Sequence, residues 1–331
     1  MASTHYLETH STDPAYNLAF EEYVLTNFRQ GNILILWQND NAVIIGRNQN
    51  TAEEINQSFV DQHGIHVIRR NTGGGAVYHD MGNLNYSFIA DADSIDKAAI
   101  QYFLQPVVGA LQALGLDAEC SGRNDILVSG KKVSGTAQQL SKGRLLHHGT
   151  LLFDSNPDMI SGALNPDPTK FQSKSVKSVR SRVGNIRAHL SEDMDINSFW
   201  THLKSTLLGS EFTEVTLSDA DLAAIKELKE RKYDTWEWNY GKSPKFQMRS
   251  KKRFSCGLLD IHLSVTAGCI SAIQIFGDFL ALSPISDVES ALLGCPCQRS
   301  KLLETLQSLD LSLYLGGITA EELTETILCN E

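Results

Sequence analysis

The chain has 331 residues, 42% of them hydrophobic and 21% charged, and carries a formal net charge of −10. That composition supplies a core for one large domain plus a smaller one, or for two comparable domains, and the acidic balance excludes a general nucleic-acid binder, which needs a basic footprint. No run approaches the roughly 20 apolar residues of a membrane span, and the N-terminus MASTHYLETHSTDP lacks the basic and apolar regions of a secretory signal, so a cytoplasmic protein is expected.

Asp13-Pro14 reads as an N-cap followed by proline at the first helical position, and Leu18, Leu25 and Phe28 mark one face of a helix running to about residue 28. The apolar runs 33–37 and 42–45 flank the turn-like Gln38-Asn39-Asp40-Asn41 and read as a hairpin. A polar helix over 53–63 leads into a short strand, 66–68, and then into RRNTGGGAVYHD, residues 69–80. Residues 85–89 form the returning strand, and 95–114 a long helix that Pro106 kinks or divides. Three short strands follow, 125–128, 131–137 and 149–153, and helices are expected over 196–208 and 218–232. The polar stretch 240–253 reads as a linker, set most narrowly at 244–253, between a unit of residues 1–243 and one of residues 254–331. In the second unit, 254–276 reads as strands turning near Ala267-Gly268, with helices from Val288 onward. Strands interleaved with helices, several with hairpin-like neighbours, favour an α+β fold with a mixed sheet over a doubly wound parallel one.

The six cysteines, Cys120, Cys256, Cys269, Cys295, Cys297 and Cys329, show no CxxC spacing. Cys295-Pro296-Cys297 without a second cluster is a poor zinc site, and reduced thiols are expected. Between residues 169 and 190 stand six basic residues (Lys170, Lys174, Lys177, Arg180, Arg182, Arg187) and no acidic one, so the remainder carries −16. This run is either a solvated face or a mobile segment that closes on an anion or docks an acidic partner.

Three consecutive glycines are costly, because glycine loses the most backbone freedom on folding. Gly73-Gly74-Gly75 stand between Arg69-Arg70 and Tyr78-His79-Asp80. Gly-Gly alone would serve a tight turn, but the flanking cations and polar groups exceed what a turn requires. Successive amides without Cβ atoms form a concave anion site, and arginine adds a clamp on phosphate. A ligand loop is the favoured reading. Asp125, closing Gly122-Arg123-Asn124-Asp125, is either a turn former or a group that holds a ribose or a metal near phosphates. Lys132 is either a solvated strand residue or, beside the small Ser134-Gly135-Thr136-Ala137, an ammonium with room to meet charge developing on an oxygen. His147 and His148 are adjacent on extended chain, so at most one faces a site. Neither spacing is a metal signature.

Taken in order, RRNTGGGAVYHD, GNLN, GRNDILV, KKVSGTA, HHGTLL and SVRSRVGNI resemble the lipoate–protein ligase family. The resemblance runs from about Asn17 through Ile186 and more faintly through Trp236-Glu237-Trp238-Asn239 into the C-terminal region. It implies a catalytic domain of the biotin/lipoyl ligase fold, a mixed and mostly antiparallel sheet with helices, followed by a small α+β accessory domain. It also implies that lipoate and ATP give lipoyl-AMP and pyrophosphate with Mg2+ present. The acyl group then passes to a lysine of an acceptor: the lipoyl domains of 2-oxo acid dehydrogenase E2 subunits, or the glycine-cleavage H protein.

Residue by residue, the resemblance implies that Lys132 is the catalytic lysine, contacting both lipoyl carbonyl and phosphate. It assigns Arg70, Gly75, Ala76, Val77, Tyr78 and Asp125 to ATP. Thr72 (where a serine is common), Gly74, His79, Asn83, Thr136, Ala137 and His148 are assigned to the lipoyl adenylate, and magnesium to the vicinity of Asp125 without a dedicated protein cage. Lys131 is offset from Val-Ser-Gly by one and is the weaker lysine. Two alternatives stay open. One is an ATP-independent lipoyl or octanoyl transferase of the same fold, which commonly uses a cysteine; Cys120 is the only one before the linker. The other is a non-catalytic protein that binds the adenylate. The arginine- and glycine-alternating loop of a biotin ligase is not matched.

Overall fold

Asp13 caps the first helix as expected. Its carboxylate accepts the amides of Ala15 and Tyr16 at 2.9 and 3.3 Å, and Pro14 opens the helix Pro14–Asn27. The computed structural model describes residues 4–29, 31–91, 100–122, 124–164, 183–240, 248–266 and 268–328. Most of the basic 169–190 segment lies outside them.

The first six strands are β1 (Thr4–Glu8), β2 (Asn32–Trp37), β3 (Ala42–Ile45), β4 (His66–Arg69), β5 (Val77–His79) and β6 (Asn83–Asp91). They are followed by β7 (Ala118–Ser121), β8 (Asp125–Val128), β9 (Lys131–Ser141), β10 (Arg144–Leu152) and β11 (Thr213–Glu214). An eight-stranded sheet has the order β11-β1-β2-β6-β10-β9-β8-β7. Its β1 contacts are parallel, and every pairing from β2 to β7 is antiparallel, which bears out the α+β class with a mixed, mostly antiparallel sheet. On β2, Leu34 and Leu36 join the core beneath the helices Ile100–Gln112 and Ile196–Leu208, while Ile33, Ile35 and Trp37 join the core shared with Pro14–Asn27. Burial on both faces explains its unbroken apolar run.

The expected hairpin of 33–37 with 42–45 is not formed. β2 lies in the large sheet, whereas β3 is the centre of a second sheet, parallel to β4 and antiparallel to β5. The corner between them is held open by the first helix: Asn17 Nδ2 donates to Gln38 O (2.7 Å) and to Asn39 Oδ1 (2.9 Å). The polar helix over 53–63 is two short helices, Thr51–Glu54 and Gln57–Gln62, interrupted where Ile55 bridges Leu164. Pro106 does not divide its helix. Ile100–Gln112 continues through it because Phe103, Leu104, Val107, Val108 and Leu111 are buried against neighbouring elements, and that packing offsets the lost backbone bond.

After a five-residue π turn, Lys229–Tyr233, and a short helix, Trp236–Asn239, come β12 (Met248–Phe254), β13 (Gly257–Thr266) and β14 (Cys269–Gly277). These form an antiparallel sheet whose core, with Val288, Leu302, Leu306, Leu315 and Leu323 from the following helices, is its own. Residues 248–253, read as linker, are part of β12 and pair along its length with β13. β12 is an edge strand, and its Arg249, Lys251, Lys252 and Arg253 are exposed; charged edges are how sheets avoid further pairing. No described helix is long and apolar enough to cross a membrane.

Candidate active site

The glycine loop follows β4 and precedes β5, on one side of a cavity of about 380 Å³ whose other side is built by β8, β9 and β10. Arg70, Gly74, Gly75, Ala76, Val77 and His79 line it from the loop side, and Asp125, Lys132, Thr136, Ala137 and His148 from the sheet. Three expected site residues are absent from this lining. Thr72 lies just behind the wall, bonded to both Arg70 and His148. Tyr78 points the other way, as alternation on β5 between Val77 and His79 requires: its ring packs with Val43, Ile45 and Val67, and its hydroxyl donates to Asn41 Oδ1 at 3.0 Å. Asn83 is buried and donates to Asn85 Oδ1 at 2.9 Å; Asn85 is the one at the cavity.

The three glycines answer to different demands. A Cβ on Gly73 would lie 2.6 Å from the Phe279 carbonyl oxygen, and Gly74 sits at φ +90°. At Gly75 a Cβ would meet nothing within 4 Å, so there the open space faces the cavity. The loop is a less bare cradle than the sequence suggests, because Gly74 N–H donates to Phe279 O at 3.1 Å. Phe279 and the cavity-lining Asp278 belong to the C-terminal unit, and no local sequence signal could have placed them here.

The two arginines have separate tasks. Arg69 makes six side-chain hydrogen bonds, to Gly46 O, Arg47 O, Gln49 O, Thr51 Oγ1, Trp238 O and Asn239 O, and is a structural staple. Arg70 donates to Thr72 Oγ1, Ile44 O, Gly73 O and Gly75 O, shaping the glycine loop from behind while still lining the cavity. Burial pushes both guanidinium groups down to about 10.

Lys132 Nζ stands 2.7 Å from Asp125 Oδ1, with 40% of the lysine side chain exposed. Gly135 makes room for it: a Cβ there would come within 3.3 Å of Nζ. Buried Leu18, Trp37 and Ile44 give the cavity an apolar wall, missed by sequence reasoning because such a wall looks like core. His79 lines the cavity too. Burial, then the charge of Arg70, holds it neutral with its pKa down to about 3. Its Nδ1 accepts from Asn39 Nδ2 (3.0 Å), so the proton sits on Nε2, which finds no partner among the described residues. Of the adjacent histidines only His148 faces the site. His147 stacks on Phe103 at 5.0 Å and is held neutral by burial, its pKa also down to about 3.

Among the described residues, no group of three or more His, Cys, Asp or Glu side chains is placed to hold a metal ion. Cys120 does not line the cavity; burial pushes its thiol up, away from the reactive thiolate form.

A family model described as the lipoyl protein ligase A/B catalytic domain matches residues 13–208, and one described as the bacterial lipoate protein ligase C-terminus matches residues 243–327. The chain is 42% identical over 320 residues to the lipoate-protein ligase LplJ of Bacillus subtilis, spanning 95% of this chain and 97% of that protein. The solved structure of P. falciparum LipL1 in complex with lipoate is similar with a TM-score of 0.80 at 26% identity, covering 93% of this chain and 95% of that one. A lipoate-protein ligase A bound with ATP gives a TM-score of 0.63 at 32% identity, over 73% of this chain and 99% of its own. The chain belongs to the lipoate–protein ligase family.

Proposed function

We propose that this chain activates lipoate with ATP and transfers the lipoyl group to a lysine of an acceptor domain, with Lys132 as the catalytic residue. In the first step a lipoate carboxylate oxygen attacks the α-phosphorus, the bond to the β-phosphate bridge breaks, and pyrophosphate leaves. In the second, a neutral acceptor amine attacks the acyl carbon, the bond to AMP breaks, and an amide forms. Both steps gather negative charge on oxygen between the same groups, and a preorganised cation there lowers the barrier. The observation that carries the reading is that Lys132 and the glycine loop line one cavity in a chain of this family.

The cavity fits the reactants in outline. Its buried apolar wall, Leu18, Trp37 and Ile44, suits an acyl chain, and the partly exposed Asp125 and Lys132 suit the carboxyl and the nucleotide. Gly75, Ala76, Val77 and Arg70 are our nucleotide contacts; Thr136, Ala137, His79 and His148 are our lipoyl contacts. Magnesium fits as an ion brought in on the nucleotide phosphates, with Asp125 the carboxylate we assign to it, since that cation needs only one or two protein carboxylates. It supplies charge neutralisation on the phosphates. We take residues up to 243 as the catalytic unit and draw the accessory unit from β12 onward. As acceptors we propose E2 lipoyl domains or the glycine-cleavage H protein, on the strength of the family resemblance.

Incubation with ATP, lipoate and a panel of apo acceptor domains, read by intact mass, tests the proposal. A lipoyl mass increment that requires ATP supports it. Labelling without ATP from an acylated carrier, or adenylate binding that never labels an acceptor, overturns it.

A further inference from the structure

Glu21 belongs to none of the motifs above, yet it is a buried carboxylate, 4% exposed, at the head of a chain of hydrogen bonds that ends on the glycine loop. Trp37 Nε1 donates to Ser87 Oγ (2.9 Å), and Ser87 Oγ donates to Glu21 Oε1 (2.5 Å). The same Oε1 lies 2.9 Å from His148 Nδ1. On the other side of the ring, His148 Nε2 is 2.7 Å from Thr72 Oγ1, which receives Arg70 Nε at 3.0 Å.

The direction of each bond follows from what its atoms can do. A carboxylate only accepts, so His148 Nδ1 must carry a proton. An imidazole with that one proton accepts at Nε2, so the Thr72 hydroxyl points its hydrogen at the ring. The Thr72 oxygen is thereby left to take Arg70 Nε–H. Turning the Thr72 hydrogen away from that ring would set two lone pairs against each other in a buried place. Once Nε is oriented, the rest of the planar guanidinium is fixed, and its remaining bonds reach Gly73 O (2.7 Å) and Gly75 O (2.8 Å). Charge is matched as well. Arg69 and Arg70 are neighbouring buried cations, and Glu21 is the carboxylate that faces Arg70 across the relay.

We propose that Glu21 is a positioning residue, which acts through His148, Thr72 and Arg70 to hold Gly73–Gly75 in the conformation that receives the nucleotide. The inference rests on the ligase reading for its activity test but not for its structural one. The structural test is 15N NMR of histidine-labelled full-length protein, with His148 assigned by loss of its signals in H148Q. The expected result is a ring carrying a proton at Nδ1, its signals changed in E21Q, whose uncharged amide oxygen is a weaker acceptor than the carboxylate. A wild-type ring protonated at Nε2 alone overturns the proposal, and this is readable even in a chain that ligates nothing.

The activity test is lipoate-dependent pyrophosphate release. E21Q and T72V should each lose roughly 10- to 100-fold, the range of a charge-assisted bond. If both break one relay, the double variant should lose no more than the worse single variant. Losses that multiply, or a T72V variant at the wild-type rate, overturn it. Should E21Q not fold, T72V, which keeps the carboxylate, decides alone.

Discussion

Replacing Lys132 by alanine should separate catalysis from stability, because its proposed role and its ion pair carry very different magnitudes. The lysine is 40% exposed and its partner Asp125 31% exposed, so their 2.7 Å ion pair is of the solvent-screened kind. Such pairs contribute about 0–1 kcal/mol, and the melting temperature should fall by no more than about 2–4 °C. Loss of a preorganised donor at developing oxyanion charge, by contrast, costs about 2.7–4 kcal/mol of transition-state stabilisation, a factor of about 10²–10³ in rate. Lipoate-dependent pyrophosphate release and acceptor mass labelling measure the second quantity, and thermal unfolding of the same sample measures the first. Ligation within a few-fold of wild type would refute the role of Lys132. A collapse in thermal stability parallel to the lost activity would refute the separation.

Gly73→Ala should destabilise the chain by about 1–3 kcal/mol, the range for overpacking, because its Cβ would come within 2.6 Å of Phe279 O; unchanged urea denaturation would show that the C-terminal segment yields at no cost. His79 and His147 are both held neutral in the folded state with values near 3, far below the ordinary 6.5. Their contribution is fully present above pH 6.5 and is lost as the pH falls toward 3, since only the unfolded chain takes up the protons, with a slope of about 1.4 kcal/mol per pH unit for each ring. Unfolding free energies at pH 7, 6 and 5 should therefore decline, and His147→Phe should roughly halve the slope; an unaltered slope would exclude that ring. Cys120→Ala should leave the ligation rate within about 2-fold, since Cys120 does not line the cavity; abolished transfer would favour a thioester route.

What was legible in the sequence was local chemistry. The Asp13-Pro14 cap, the glycine loop and the lysine with small neighbours each depend on residues a few positions apart; the cap forms as read, and the loop and the lysine both line the cavity. What failed depended on the direction of the chain or on distant partners. The 33–37 and 42–45 runs have hairpin spacing, but they enter different sheets, and the corner between them is bonded to residues outside it, among them Asn17 of the preceding helix. Tyr78 and Asn83 fit their motif by position but not by orientation, since alternation on β5 and a side-chain bond to Asn85 decide where each points. The stretch 248–253 resembled a linker because an edge strand guarded by arginine and lysine has a linker's composition. Glu21 and Asp278 had no local signal: Glu21 meets Ser87 and His148, 66 and 127 positions away, and Asp278 lines the cavity from the C-terminal part of the chain.

The paired arginines show how far a motif can mislead about where its charge is used. Arg69-Arg70 ahead of three glycines suggested a double clamp on phosphate, yet Arg69 directs all six of its side-chain bonds into the protein and lines no part of the cavity. Arg70 commits four bonds, two of them to the carbonyl oxygens of Gly73 and Gly75, so its main effect on a ligand is through the shape of the loop. Lys132 differs in kind. Its ammonium is held at the cavity by a half-exposed ion pair with Asp125, which an anionic reactant can displace at little cost. On our proposal the cation that changes partners during the reaction is therefore the lysine, and the arginines keep the frame in which it does so.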